Sequence, residues 1–112
     1  MFENLEELIK TIRERKNSSP DKSYTNKLLN DKNLSVSKVK EEIGELIESV
    51  EKNSNKIHEA ADVIYHLMVY LEANDIKIEE VMSELIDTET LAKYTEEMIN
   101  SEVIRRFWDY TN

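Results

Sequence analysis

Hydrophobic positions in this chain follow a helical period, and residues 57–71 are apolar on nearly every side. This stretch lacks Gly and Pro, is longer than an ordinary strand and is too short to span a bilayer. A helix that is apolar all round is buried on most sides, so we expect it to be the central element of the fold. A few polar residues interrupt it. Glu59, Asp62 and His66 lie at i, i+3 and i+7 and therefore share one face.

Other helices are predicted on both sides of the central one, which itself is expected over 56–73. The first covers 2–16, a short helical turn covers 25–29, and another helix runs from 76 to 87. A long helix is expected over 36–52, capped by Ser35 or Ser37, and its buried face is formed by Val36, Val39, Ile43, Leu46, Ile47 and Val50. Residues 17–24 and 30–34 are expected as loops. The short turn at 53–55 implies an antiparallel hairpin.

Composition narrows the fold class. With 1 Gly and 1 Pro in 112 residues, an all-α protein is favoured, because sheets need turn glycines. We expect one domain over 1–87 and a helical C-terminal extension over 88–112. The role of the extension stays open: packing on the bundle is favoured, and covering the dimer or capping the site are the alternatives. The absence of Cys excludes a disulfide framework and a thiolate metal site. Neither a signal peptide nor an apolar run of about 18 residues is evident, so we expect a cytoplasmic protein without a membrane partner.

Acidic residues supply the candidate chemistry. Fifteen basic against twenty-four acidic residues give a net charge of −9, which argues against nucleic acid as a partner. Glu42-x-x-Glu45 and Glu59-x-x-Asp62 lie on the two helices of the hairpin, which can bring them face to face. Four carboxylates in a partly dry space need compensation, and all-oxygen ligation favours Mg²⁺ or Mn²⁺. Such metals could hold a polyphosphate and activate a water.

Plainer interpretations of the same residues stay open. Glu42 and Glu45 are also typical of a solvated helix face, and Asp62 could be a buried acid paired with a base or acting as a cap. A di-iron carboxylate site would need Glu-x-x-His, which the chain lacks. His66 either orients Asp62 or packs as a core histidine, and His58 is expected to be exposed.

A polar segment, residues 23–29, groups hydroxyls and an ammonium that suit phosphate oxygens, although a capped turn with a surface lysine has the same composition. The chain resembles the phosphoribosyl-ATP pyrophosphohydrolases of histidine biosynthesis, a family within the all-α nucleotide pyrophosphohydrolases similar to MazG. The resemblance covers about residues 4–86. It is carried by Arg15-Lys16, Pro20, Ser23-Tyr24-Thr25, Lys27-Leu28-Leu29, Lys38-Val39, Glu41-Glu42 with Glu45, Glu59-Ala60-Ala61-Asp62 and Tyr65-His66-Leu67.

This resemblance implies a MazG-like helical bundle completed by homodimerisation. It implies Mg²⁺-dependent hydrolysis of a nucleotide substrate, phosphoribosyl-ATP, to phosphoribosyl-AMP and pyrophosphate. The implied metal ligands and catalytic groups are Glu42, Glu45, Glu59 and Asp62, and the implied substrate-binding residues are Arg15, Ser23, Tyr24, Thr25, Lys27 and Lys38. The family usually has glycines where this chain has residues 30–32 and Lys40, which leaves the path of 30–40 open.

Two alternatives remain at this point. A house-cleaning pyrophosphohydrolase of noncanonical or deoxy nucleoside triphosphates would keep the four acids without needing the 23–29 segment. A non-enzymatic helical dimerisation module would use the acids only as surface.

Overall fold

The computed structural model describes residues 2–86, and these form an all-α protein, as predicted. Five α-helices follow one another along this part of the chain: α1 (Glu3–Glu14), α2 (Tyr24–Asn30), α3 (Lys32–Lys52), α4 (Lys56–Ala73) and α5 (Ile78–Ile86). A 3-10 turn, Arg15–Asn17, follows α1 directly. Within the described range, none of the helices has both the length and the apolar character needed to cross a membrane.

The chain divides into two units, Met1–Ile78 and Glu79–Asn112. All but the first residue of α5 belongs to the second unit. The predicted extension over 88–112, with its packing role, lies outside the described residues. The predicted domain boundary after residue 87 therefore stays a prediction.

Helix α4 is the centre of the first unit, as predicted, because it packs against α3, α2 and α1. Its Val69 meets Ile12 of α1 and Leu28 of α2 in a small core, and all three are at most 2% exposed. Full burial of such a side chain stabilises the fold by about 1.5–3 kcal/mol. The expected burial on most sides of α4 is wrong within this chain, since Ile57 and Ile64 are 88% and 47% exposed. The helix therefore has a second apolar face that residues 2–86 leave exposed.

Helix α3 begins at Lys32 rather than at residue 36, and the predicted loop over 30–34 is reduced to Asp31. Asp31 takes the cap position because its Oδ1 accepts a hydrogen bond from the Leu34 N–H at 3.0 Å. The predicted caps are wrong: Ser35 and Ser37 lie inside the helix, and Ser35 is 2% exposed. The long α3 places its acidic residues along α4.

Asparagines close the turn between α3 and α4. Asn53 and Asn55 have φ values of 54° and 58°, a left-handed conformation that Asn adopts more readily than most residues. The Ser54 N–H reaches back to the Ser49 carbonyl at 2.9 Å, which satisfies the end of α3. The predicted antiparallel hairpin is thereby confirmed. The face of α3 that was predicted to be buried is only partly buried, since Ile43, Ile47 and Val50 are 43–56% exposed.

An ion pair fixes the end of α1 against α4. The Glu72 Oε1 accepts from the Arg13 Nε at 3.3 Å and from the Lys16 Nζ at 2.8 Å. The Glu72 side chain is 13% exposed, so its negative charge is stabilised by both cations at once. This contact holds the 3-10 turn against α4. The segment that leads to α2 therefore begins at a defined position.

Candidate active site

Three carboxylates meet between α3 and α4. One oxygen each of Glu42, Glu45 and Glu59 lies within 4.8 Å of the other two. Glu42 is only 8% exposed. Within residues 2–86, the Oε2 atoms of Glu42 and Glu59 are buried without a hydrogen-bond partner. Buried carboxylate oxygens are costly unless paired or bound to a metal, so the arrangement suits a hard cation.

Asp62 extends this patch along α4. A second set within 4.8 Å joins Asp62, Glu59 and His58, so Glu59 belongs to both sets. The His58 Nε2 lies 3.3 Å from Asp62 Oδ2, and its side chain is 71% exposed, as expected. The hairpin thus brings Glu42 and Glu45 together with Glu59, while Asp62 lies at the edge of the group.

The patch is electrostatically strained. Burial raises the pKa of Glu42 above its ordinary value, and the negative charge of Glu45 raises it further. His66 lowers this pKa, and Asp62 adds a smaller rise. The site therefore resists a full set of negative charges unless a cation compensates them.

Hydroxyl groups of the 23–25 segment are all engaged by the protein itself. The Ser23 Oγ caps α2 by accepting the Asn26 N–H at 3.1 Å. The Tyr24 hydroxyl lies 3.1 Å from His66 Nε2, and the Thr25 Oγ1 lies 2.5 Å from the Tyr65 hydroxyl. Burial raises the pKa of the Tyr24 phenol, with a smaller lowering by Lys38, so the phenol keeps its proton for donation.

His66 connects this segment with the acidic helix. Its Nδ1 lies 2.8 Å from the backbone carbonyl of Asp62, and a carbonyl only accepts, so Nδ1 donates. In the neutral ring, Nε2 then accepts the proton of Tyr24. The ring is 8% exposed and packs edge-on to Tyr65 at a centroid distance of 4.9 Å. His66 is therefore both packed in the interior and hydrogen-bonded through its two ring nitrogens. Its Nδ1 contacts the backbone carbonyl of Asp62 and not the carboxylate.

The basic side chains proposed to bind substrate differ in how close they lie to the carboxylates. Lys38 is half-buried, and its Nζ donates to Glu41 Oε2 at 3.0 Å, which raises its pKa. Tyr24 and Glu42 raise that pKa further, so Lys38 lies in the field of the acidic patch. Arg15 and Lys27 are exposed, and the structure does not bring either side chain to the carboxylates within residues 2–86.

Asn26 and Tyr65 were missed by the sequence interpretation. Asn26 is 2% exposed; its Nδ2 donates to the Arg15 carbonyl at 2.8 Å, and its Oδ1 accepts from Asn30 at 3.0 Å. It thereby ties the 3-10 turn to α2. A polar residue after a cap is typical of a surface turn, and a Tyr in an apolar run is typical of core, so neither had a distinguishing local signal.

An open polar groove continues from the carboxylates towards the α3–α4 turn. Its volume is about 210 Å³, and it is lined by Glu45, Glu48, Ser49, Lys52, Ser54, Asn55 and Glu59. Lys52 pairs with Glu48 at its rim. The groove has room for part of a nucleotide next to the acidic patch.

Known proteins resemble this chain over most of its length. The profile of the family described as phosphoribosyl-ATP pyrophosphohydrolase matches residues 5–89. A phosphoribosyl-ATP pyrophosphatase of a Caulobacter species is 40% identical over 87 residues, which are 76% of this chain and 81% of the relative. The Halobacterium salinarum protein of the same name is 38% identical, covering 78% and 98%. That of Cereibacter sphaeroides is 44% identical, covering 72% and 82%. No solved structure gives a significant match.

Proposed function

The chain belongs to the phosphoribosyl-ATP pyrophosphohydrolase family and is a hydrolase of phosphoanhydrides, and from this premise we propose that it converts phosphoribosyl-ATP to phosphoribosyl-AMP and pyrophosphate with a divalent cation. This reaction is the step of histidine biosynthesis for which its relatives are named, and we expect it in the cytoplasm. The observation that carries the proposal is the group of Glu42, Glu45 and Glu59, in which Glu42 and one oxygen of Glu59 are buried. A non-enzymatic dimerisation module does not fit a chain of this family.

We assign the cation, Mg²⁺ or alternatively Mn²⁺, to Glu42, Glu45 and Glu59, with Asp62 completing the set. Two observations support the fit. The ligand atoms of the first three lie within 4.8 Å of one another, and two of their buried oxygens lack a partner among the described residues. All donors are oxygens, which hard divalent cations prefer. A cation bound there would neutralise phosphate charge and lower the pKa of a bound water.

Substrate recognition falls to the groups on either side of the carboxylates. On one side, Lys38 can approach a phosphate oxygen, because its ammonium group already interacts electrostatically with Tyr24 and Glu42. Arg15 and Lys27 are exposed and free to balance further phosphate charge. On the other side, the groove ending at Lys52 offers hydroxyl and amide groups for the rest of the nucleotide. A carboxylate of the patch would orient the attacking water.

We further propose that two copies of the chain form a MazG-like bundle. The support is an apolar face on the α3–α4 hairpin: Ile43, Ile47 and Val50 of α3, with Ile57 and Ile64 of α4, are all 43% or more exposed. Contiguous apolar side chains on a helix pair are typical of an interface rather than of a solvated surface. A second copy is the occupant of choice, because an antiparallel pair of helices can meet itself about a two-fold axis.

Pyrophosphate release tests the proposed activity. The purified protein is incubated with phosphoribosyl-ATP, with and without Mg²⁺, beside a panel of deoxynucleoside triphosphates. We expect release only from phosphoribosyl-ATP and only with the cation. Turnover of deoxynucleotides alone would instead identify a house-cleaning pyrophosphohydrolase. No release from any substrate by well-folded protein would overturn the proposed activity.

A further inference from the structure

Two neighbouring hydrogen bonds join the 23–25 segment to α4. Thr25 Oγ1 lies 2.5 Å from the Tyr65 hydroxyl, and the Tyr24 hydroxyl lies 3.1 Å from His66 Nε2. The partners are consecutive on both sides, so they form a two-point attachment. The rings reinforce it, since Tyr24 stacks on Tyr65 at 6.5 Å and meets His66 edge-on at 6.0 Å.

This attachment occupies the groups that the sequence assigns to the substrate. A Tyr hydroxyl has one proton, and with a neutral His66 ring Tyr24 donates it to Nε2. The Thr25 hydroxyl is in close contact with a phenol, and the Ser23 oxygen is used by the α2 cap. Each of these hydroxyls therefore already has a partner within the protein, although the Ser23 proton and one proton of the Thr25–Tyr65 pair are not used in these bonds.

We propose that Tyr65 and His66 are positioning residues that dock the 23–25 segment on α4, and that Tyr24 and Thr25 act through this docking rather than by touching phosphate. The docked segment matters because it carries the start of α2. From there Lys27 projects, and Asn26 holds the main chain of Arg15. The four bonded side chains thus couple the cationic side of the site to the helix of Glu59 and Asp62.

A double-mutant cycle on Thr25 and Tyr65 tests the docking; its kinetic arm rests on the proposed function. Tyr65→Phe and Thr25→Val each remove one half of the same hydrogen bond. Since such a bond contributes on the order of 1 kcal/mol and undocking lowers apparent affinity, we expect KM for phosphoribosyl-ATP to rise about two- to fivefold in each. The double variant should be no worse than either single one, with kcat and the half-saturating Mg²⁺ concentration unchanged within about twofold.

Tyr70→Phe is the matched control, because Tyr70 lies on the same helix. Among residues 2–86, the hydrogen bonds that Tyr70 makes beyond its own helix use only its backbone carbonyl and not its hydroxyl. It should leave KM unchanged. A direct phosphate contact by Thr25 makes a different prediction. Thr25→Val would then impair the enzyme far more than Tyr65→Phe, and the effects would multiply in the double variant. Either result would overturn the docking role.

Amide hydrogen exchange gives a readout that needs no turnover. The Asn26 and Lys27 N–H groups donate to Ser23, so their exchange reports whether the segment is docked. Exchange at both should accelerate in Tyr65→Phe and Thr25→Val and stay unchanged in Tyr70→Phe. Unchanged exchange in Tyr65→Phe would refute the docking. If the wild type released no pyrophosphate, the proposed function would fail and the exchange data alone would decide this inference.

Discussion

Replacing Glu42 with Gln is expected to stabilise the metal-free protein while removing its activity. The side chain is 8% exposed, and its Oε2 has no partner among residues 2–86. Burial and the charge of Glu45 raise its pKa, which means that the fold disfavours the ionised form. Gln has nearly the same shape without the charge, and its amide can donate to Glu45. The substitution therefore relieves repulsion but removes a proposed metal ligand.

A buried acceptor without a partner costs about 1–3 kcal/mol, so we expect Glu42→Gln to raise the free energy of unfolding by about 1–2 kcal/mol at neutral pH in EDTA. In Mg²⁺ the wild type should instead be more stable than the variant. At 100 times its Kd, a ligand stabilises the wild type by about 2.7 kcal/mol, and the variant should gain much less. The pH dependence follows from the raised pKa of Glu42. Its contribution to stability is present below the unfolded value near 4.5 and is lost as pH rises through the folded pKa.

Urea denaturation followed by circular dichroism measures these differences, in EDTA and in Mg²⁺, at neutral pH and at about pH 4, where the advantage of Gln should vanish. Pyrophosphate release measures the loss of activity. Glu51→Gln is the control, because Glu51 is exposed on the same helix, and it should change neither quantity. A Glu42→Gln protein that is less stable in EDTA would refute the electrostatic reasoning. A fully active one would refute the metal assignment.

Three further substitutions probe separate parts of the molecule. Asp62→Asn should nearly abolish pyrophosphate release with the helical dichroism intact, and full activity would remove Asp62 from the proposed metal site. Asn26→Ala should lower the free energy of unfolding by about 1–3 kcal/mol, because it removes two hydrogen bonds of a buried side chain, to the Arg15 carbonyl and from Asn30; urea denaturation would reveal an unchanged midpoint if these bonds were unimportant. Ile47→Glu should convert the proposed dimer to a monomer in light scattering, and a wild type that is itself monomeric would contradict the dimer.

Helical periodicity and the near absence of Gly and Pro were sufficient for the all-α class, the central α4 and the hairpin. Local signals failed where two of them competed. Asp31 and Ser35 are both residue types that cap helices, and in the structure Asp31 is the cap, accepting the Leu34 N–H. The apolar pattern of α3 was interpreted as core, but periodicity marks only which residues share a face. It does not say whether the chain or a second molecule covers that face.

The proximity of the acidic pairs could be predicted from the sequence, because their spacing on two helices joined by a short turn leaves few ways to keep them apart. How deeply each of these residues is buried could not be predicted. Only the packing of α3 against α4 decides that Glu42 is enclosed, whereas the exposure of His58 was predicted.

The sequence by itself determined the helices, the hairpin and the family, since each depends on residue types at short spacing. Only the tertiary structure decided what the Tyr24 and Thr25 hydroxyls do. Their partners, Tyr65 and His66, lie about 40 residues away along the chain. A hydrogen bond depends on distance and direction in space, which local pattern does not contain. The same holds for Asn26, which is buried where α2 meets the 3-10 turn and donates to the Arg15 carbonyl there.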